Sequence, residues 1–167
     1  MTTKFASVTL DGGHLRFVGR TGSGHRIVLD DAAGGSGPRP AELVPLALAG
    51  CTAMDVISIL RKKRQVVERY EVRASGTQRD EPPPLFTRID VVHEVSGPDL
   101  DVEAVRRAIE LSATRYCAVG ATLASGVTEI HHRYVVDDGT DEPRTGEVVV
   151  LGPGSLVELV EAAPVVA

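Results

Sequence analysis

Ala41-Glu-Leu-Val-Pro-Leu-Ala-Leu-Ala-Gly-Cys-Thr-Ala-Met-Asp-Val-Ile-Ser-Ile-Leu60 is the most apolar stretch of the chain, and its reading decides the fold. A run of about 20 such residues has the length of a membrane span. Glu42 and Asp55 lie within it, Pro45 interrupts it, and Gly50, Cys51 and Thr52 make its middle small and polar, which argues against a span. The pattern predicts a helix from about Ala41 to Arg64. A helix apolar nearly all round is buried on most sides. Pro45 is tolerable within the first turn, where its missing N–H costs little. Arg61-Lys62-Lys63-Arg64 complements the negative end of the helix dipole and marks where the helix leaves the core. A chain of 167 residues has difficulty covering such a helix alone, so a partner subunit is expected.

Outward from the helix, the flanks read as strands. Phe5 to Leu10 and Leu15 to Arg20 flank Asp11-Gly12-Gly13, a hairpin signal, and Thr21-Gly22-Ser23-Gly24 turns the chain into a third strand over His25 to Asp30. Ala32 to Pro40 is rich in Gly and Pro but lacks the Gly-Lys-Ser/Thr ending of a phosphate loop, and is read as a flexible lead-in to the helix. Tyr70 to Gln78 and Thr87 to Val95 follow as strands. The second places Ile89, Val91, His93 and Val95 on one face, as expected for a sheet with one buried side. A second helix is predicted over Val102 to Ala113, capped by Asp99 or Asp101, with Val102, Val105, Ile109 and Ser112 in one stripe and Arg106, Arg107 and Glu110 facing away. A last core strand is expected over residues 127–136. Residues 1–136 then form one domain. Residues 137–167 form a C-terminal extension: an acidic linker, a short strand over Glu147 to Leu151 and a short amphipathic helix over Ser155 to Ala163. Segregated strands and helices make the class α+β with mainly antiparallel sheet.

Composition bounds the function. With no tryptophan and few aromatics, the core must be built from Val, Leu, Ile and Ala. The formal charge of −5 argues against broad binding to nucleic acid or an anionic membrane. No secretory signal opens the chain, and two cysteines make no disulfide scaffold, so a reducing cytoplasm is expected. His131 and His132 are adjacent and face opposite sides of a strand, His14 and His25 flank a turn, and His93 is isolated, so no zinc site is expected. No Gly-x-Ser-x-Gly elbow is present, and no local signature marks a cysteine hydrolase.

Cys51 and Cys117 remain. A thiolate can attack the O–O bond of a peroxide to become a sulfenic acid, and a nearby second thiol condenses with it to a disulfide. That chemistry needs a partly desolvated pocket, an arginine to favour the thiolate and a carboxylate to hold the arginine. The alternative is two buried structural thiols, since free cysteine is among the most buried residue types. Asp55, one helical turn after Cys51, disfavours a thiolate nearby.

Gly37-Pro38-Arg39-Pro40-Ala41-Glu42-Leu43, followed by Leu48-Ala49-Gly50-Cys51-Thr52-Ala53-Met54-Asp55-Val56, resembles the central helix of the OsmC/Ohr family. Leu111-Ser112-Ala113-Thr114-Arg115-Tyr116-Cys117-Ala118-Val119 resembles that family's second cysteine motif, and the combination is most similar to the YhfA-like branch. The resemblance implies antiparallel sheets around two long central helices, in an intertwined homodimer with two sites at the interface. It implies Cys51 as peroxidatic nucleophile, Cys117 as resolving thiol, Arg20 as the group that stabilises the thiolate, with Arg16 and Arg26 as rivals, and Glu42 as the carboxylate that orients the arginine. Where the family places that glutamate ten residues before the cysteine, this chain has Ala41, and Glu42 is turned by about 100°. The expected activity is a thiol-dependent organic hydroperoxide reductase, an oxidoreductase of oxidative-stress defence. It would use an external dithiol reductant and no metal or organic cofactor, and have no nucleic-acid or membrane partner. The alternative is a dimeric binding protein that holds an apolar small molecule and whose cysteines only pack.

Overall fold

A computed structural model describes residues 2–12, 14–126, 128–140, 142–152 and 155–157. The chain forms two compact units, Met1–Val44 and Pro45–Ala167.

The first unit is an antiparallel meander of β1 (Ala6–Leu10), β2 (Phe17–Thr21) and β3 (Arg26–Leu29). Gly12 takes φ +87 in the first turn, a conformation that L side chains avoid. The Gly/Pro-rich segment that follows is organised, which corrects its reading as a flexible lead-in. Buried Asp30 accepts hydrogen bonds from the Asp31 N–H at 2.9 Å, the Ser36 N–H at 3.1 Å and the Ser36 hydroxyl at 2.5 Å. A Cβ on Gly34 would collide with the Asp30 carboxylate, so the glycine permits the wrap. The segment ends in a 3₁₀ turn, Pro40–Glu42, which opens the helical run.

α1 (Leu43–Lys62) carries Pro45 at its third position, among the N–H groups that have no partner inside a helix. It ends in a Schellman arrangement: Arg64 is left-handed at φ +59, its N–H bonds to the Arg61 carbonyl, and the Gln65 N–H reaches the Leu60 carbonyl, both at 3.0 Å. Leu48, Thr52, Val56 and Leu60, four residues apart, form one buried stripe. Each fully buried aliphatic side chain contributes about 1.5–3 kcal/mol. The expectation of burial on most sides does not hold within one chain. Leu46 and Met54 are 61% and 74% exposed. By length and composition the segment Pro40–Lys62 would suffice to cross a membrane. Its inward stripe, however, includes the fully buried hydroxyl of Thr52, hydrogen-bonded inside the protein.

The second unit holds a five-stranded sheet in sequence order: β4 (Arg69–Gln78), β5 (Phe86–Ser96), β6 (Glu129–Asp137), β7 (Arg144–Gly152) and β8 (Ser155–Val157). All neighbours are antiparallel except β5 and β6, which pair in parallel from Arg88 with Glu129 to Ser96 with Asp137. The expectation of antiparallel sheets is corrected there. The chain leaves β5 through α2 (Val102–Leu111), a π turn (Ser112–Tyr116) and α3 (Ala118–Leu123), and a crossover of that length returns the next strand parallel. α2 is half the length of α1 and stops two residues short of its expected end, because the backbone widens into the π turn. Asp101 caps it, accepting from the Glu103 N–H at 3.0 Å.

Ile89, Val91, His93 and Val95 face inward, as their alternation predicts. Val95, Val105, Ala108, Ile109, Tyr134, Val136 and Val148 pack with Val56 and Leu60 of α1. Glu110 does not face away as expected. It is buried, paired with Arg106 and, at 3.0 Å, with Arg107, so two guanidinium groups neutralise its charge. The strand expected at Glu147 starts at Arg144 and pairs with β6 from Val136↔Arg144 to Ile130↔Val150. Ser155 to Val157 form a strand rather than the start of a helix, because β7 offers an edge for pairing. The rest of that expected helix, and Val127 at the expected start of β6, lie outside the described residues.

Candidate thiol site

Cys51 and Asp55 sit one turn apart on α1, on one face and both half-buried. Cys117 lies between the π turn and α3, with extended backbone at φ −72 and ψ 99. Its N–H bonds to the Ser112 carbonyl at 2.9 Å, the five-residue step that closes the π turn. As N-cap of α3, its Sγ accepts from the Gly120 N–H at 3.3 Å. A Cβ on Gly120 would lie 3.4 Å from that sulfur and 3.5 Å from Leu48 Cδ1, so glycine lets the helix approach closely.

These elements bring the two sulfurs and an Asp55 carboxylate oxygen within 4.8 Å of one another. A disulfide has an S–S length near 2.05 Å, so the thiols are neighbours that a small side-chain movement could join. They are not equivalent. Cys117 is 3% exposed. Its thiol is pushed up to about 12, first by burial, then by its hydrogen bond to Cys51 and by the negative charge of Asp55, with the Gly120 N–H acting in the opposite direction. Cys117 therefore keeps its proton near pH 7. Asp55 is held from behind. Ser112 Oγ, fully buried, lies 3.0 Å from Asp55 Oδ2 and 3.0 Å from Thr52 Oγ1. Ser112 is the donor placed toward both, and its single proton serves one acceptor at a time.

A cleft of about 310 Å³ opens beside Asp55, lined also by Ser58, Ile59, Lys62, Leu111 and Tyr116. Behind the cluster runs a second buried network. The Tyr70 hydroxyl is 2.8 Å from His93 Nδ1, and His93 Nε2 is 3.2 Å from His132 Nδ1. Burial and the Asp55 charge raise Tyr70. Burial, then His132, holds His93 well below the usual histidine range, and burial, then His131, pushes His132 down to about 4. All three are neutral near pH 7. His93 is thus not isolated, and the signal for it was the one polar residue on an otherwise apolar strand face.

In the first unit, Arg20 and Arg26 face each other across β2 and β3 and are exposed. Among the described residues neither makes a side-chain hydrogen bond or ion pair, whereas Arg16 is paired with Asp11 and donates to Ser36 Oγ at 3.0 Å. Glu42 is exposed and engaged with Arg39: Oε2 accepts from the Arg39 N–H at 2.7 Å and Oε1 from its guanidinium at 2.9 Å. That guanidinium holds the Glu42 carboxyl below its ordinary range. Arg39 was missed in the sequence, although its position three residues before Glu42 at a helix start fits a capping box.

A family model described as OsmC-like protein matches residues 33–145, which include Cys51, Cys117 and Glu42 but not Arg20. Protein YhfA of Escherichia coli strain K12 is 44% identical over 122 residues, 73% of this chain and 91% of that protein. A solved hypothetical protein from Aquifex aeolicus VF5 superposes with a TM-score of 0.70 at 26% identity, over 82% of this chain and 98% of that one. An organic hydroperoxide resistance protein OsmC from Legionella pneumophila superposes at 0.58 with 14% identity, over 82% and 98%, a likeness of fold alone. With two sheets and one long helix among the described residues, and with the span of the family match, the chain belongs to the OsmC-like protein family.

Proposed function

We propose that this chain is a thiol-dependent reductase of organic hydroperoxides, acting as a homodimer in a reducing cytoplasm. The single observation that carries the reading is the meeting of Cys51 and Cys117, 66 positions apart in sequence, with their sulfurs within 4.8 Å. The Cys51 thiolate attacks the terminal peroxide oxygen, the O–O bond breaks, and the departing alkoxide takes a proton to become an alcohol. Cys51 is left as a sulfenic acid. The Cys117 sulfur then bonds to the Cys51 sulfur, its proton leaves with the hydroxyl as water, and the resulting disulfide is reduced by an external dithiol. The proton held on Cys117 suits this order, because the resolving thiol should not compete for the first attack.

Arg20 is the candidate to stabilise the thiolate. It stands opposite Arg26, and two like charges on facing strand positions destabilise a sheet unless an anion offsets them. Glu42 is the candidate orienting carboxylate, with Arg39 as the guanidinium it already holds. A second copy would cover the apolar side of α1 at Leu46 and Met54, and Phe5, Val8, Leu10 and Leu15 of the first unit, all exposed in one chain. Ile59 and Leu111 in the cleft favour an apolar substituent, since each buried methylene adds about 0.8 kcal/mol.

The test is intact-mass measurement after one equivalent of an organic hydroperoxide such as cumene hydroperoxide. The wild type should lose two hydrogens and yield a Cys51–Cys117 linked peptide, Cys117→Ser should stop at the sulfenic acid, and Cys51→Ser should not react. Unmodified thiols in the wild type would refute the proposal. They would leave the second reading, a dimeric binder of an apolar molecule, which is favoured by the cleft beside the cluster.

A further inference from the structure

The proposed peroxide chemistry has no use for Asp55. A carboxylate beside two thiols opposes the thiolate that the reaction needs, and within its own unit, among the described residues, Asp55 makes no ion pair. A divalent cation would reverse that conflict. We propose that the reduced chain binds a thiophilic divalent cation, Zn²⁺, through Cys51 Sγ, Cys117 Sγ and an Asp55 carboxylate oxygen, and that this metal and the Cys51–Cys117 disulfide exclude each other.

The donor set fits zinc, which takes thiolate sulfur at about 2.3 Å and carboxylate oxygen at about 2.0–2.2 Å in a tetrahedron. Donors at those radii stand roughly 3.4–3.8 Å apart. The three atoms here lie within 4.8 Å of one another, so they can converge on one centre by small side-chain rotations. Two ligands come from one face of α1 and the third from the start of α3, which fixes the set from two separate elements. The surrounding groups have the form of an outer shell. Ser112, whose hydroxyl lies 3.0 Å from both Thr52 Oγ1 and Asp55 Oδ2, can donate to Oδ2 and leave Oδ1 for the cation, while the Gly120 N–H supports the Cys117 sulfur. The cleft beside Asp55 leaves room for water as a fourth donor. Among the described residues this is the one group of three such side chains close enough to share an ion. The cluster contains no histidine, so histidine spacing in the sequence does not reveal it.

Disulfide formation removes both sulfur ligands at once. With a diazene oxidant such as diamide, two thiols give up two hydrogens, the sulfurs join, and the diazene becomes a hydrazine. This step is independent of peroxide turnover.

The untagged full-length chain, reduced and desalted, is titrated with zinc chloride against a chromogenic chelator, and bound zinc is counted by atomic emission after dialysis. One zinc per chain is expected in the reduced wild type and none after diamide. Asp55→Asn should weaken binding by about tenfold or more, since even outer-shell changes reach that scale. Cobalt substitution gives a readout that needs no variant: a thiolate-to-cobalt charge-transfer band must appear in the near-ultraviolet. Substoichiometric zinc in the reduced wild type, undiminished zinc in the Asp55→Asn or diamide-treated chain, or cobalt binding without that band would each overturn the assignment. Failure of the hydroperoxide test alone would end the reductase reading and leave zinc binding intact.

Discussion

Replacing His132 with glutamine should lower the acid sensitivity of folding. His132 is 1% exposed and its folded value is about 4, against about 6.5 for an unfolded histidine. Because the folded value is depressed, the unfolded chain binds a proton that the native chain refuses. Above about pH 6.5 both states are neutral and nothing is lost. As pH falls from there toward 4 the native state is progressively penalised, and below 4 the slope flattens. A gap of about 2.5 pH units at about 1.4 kcal/mol each comes to about 3.5 kcal/mol for this one ring. His93, also held well below its ordinary value by burial, acts in the same direction. Through His132 alone the wild type should then lose up to about 1.4 kcal/mol per pH unit between pH 6 and 5, above the carboxylate range, and His132→Gln should lack that contribution. Absolute stability also falls in the variant, since His93 Nε2 loses its 3.2 Å partner, so the slope is the quantity to read. Urea unfolding followed by far-ultraviolet circular dichroism at pH 7, 6, 5.5 and 5 gives both slopes. Equal slopes in wild type and variant, or a flat wild type, would refute the idea that both imidazoles are buried neutral.

Other perturbations address the thiols, the sheet and the proposed dimer. With Cys117 near 12, about one part in ten thousand is thiolate at pH 8, so brief iodoacetamide treatment of the native chain followed by peptide mapping should label Cys51 first. Preferential labelling of Cys117 would contradict its protonated state. Truncation after Asp137 removes β7, including Val148 and Val150, each buried side chain contributing about 1.5–3 kcal/mol, and bares the edge of β6. The truncated chain should aggregate or lose its thermal transition, and a wild-type melting curve would speak against β7 as part of the core. Met54→Asp places a charge on the exposed apolar side of α1, and multi-angle light scattering should show a shift from dimer to monomer at micromolar concentration. An unchanged dimer would place the interface elsewhere.

What could be read in the sequence depended on the range of the interaction. The hairpin around Gly12, the inward face of β5 and the cap at Asp101 are local, set by turn geometry and side-chain alternation, and they are found where expected. The apolar run from Ala41 and the two cysteines marked out the site, and a sequence motif spanning both was legible before any geometry. The parallel register of β5 on β6 is not local. It alone brings His132 beside Val91 and so diagonally close to His93, which is why two histidines 39 residues apart read as unrelated. Glu110 was misjudged because helical periodicity locates a face but not the arginines that let a carboxylate be buried on it. The Arg39–Glu42 pair is a capping contact within one turn, which a search for a strand arginine does not reveal.

The five-residue loop of backbone from Ser112 to Cys117 acts as a phase adjuster. An ordinary helical turn would carry the chain about 100° per residue and deliver the sulfur to a different bearing. One additional residue in that turn sets Cys117 to the bearing from which it meets Cys51. Deleting a single residue between Ala113 and Tyr116 should therefore leave the sheet standing yet convert a cooperating couple into two solitary thiols. The length of one coil thus sets where the Cys117 sulfur lies.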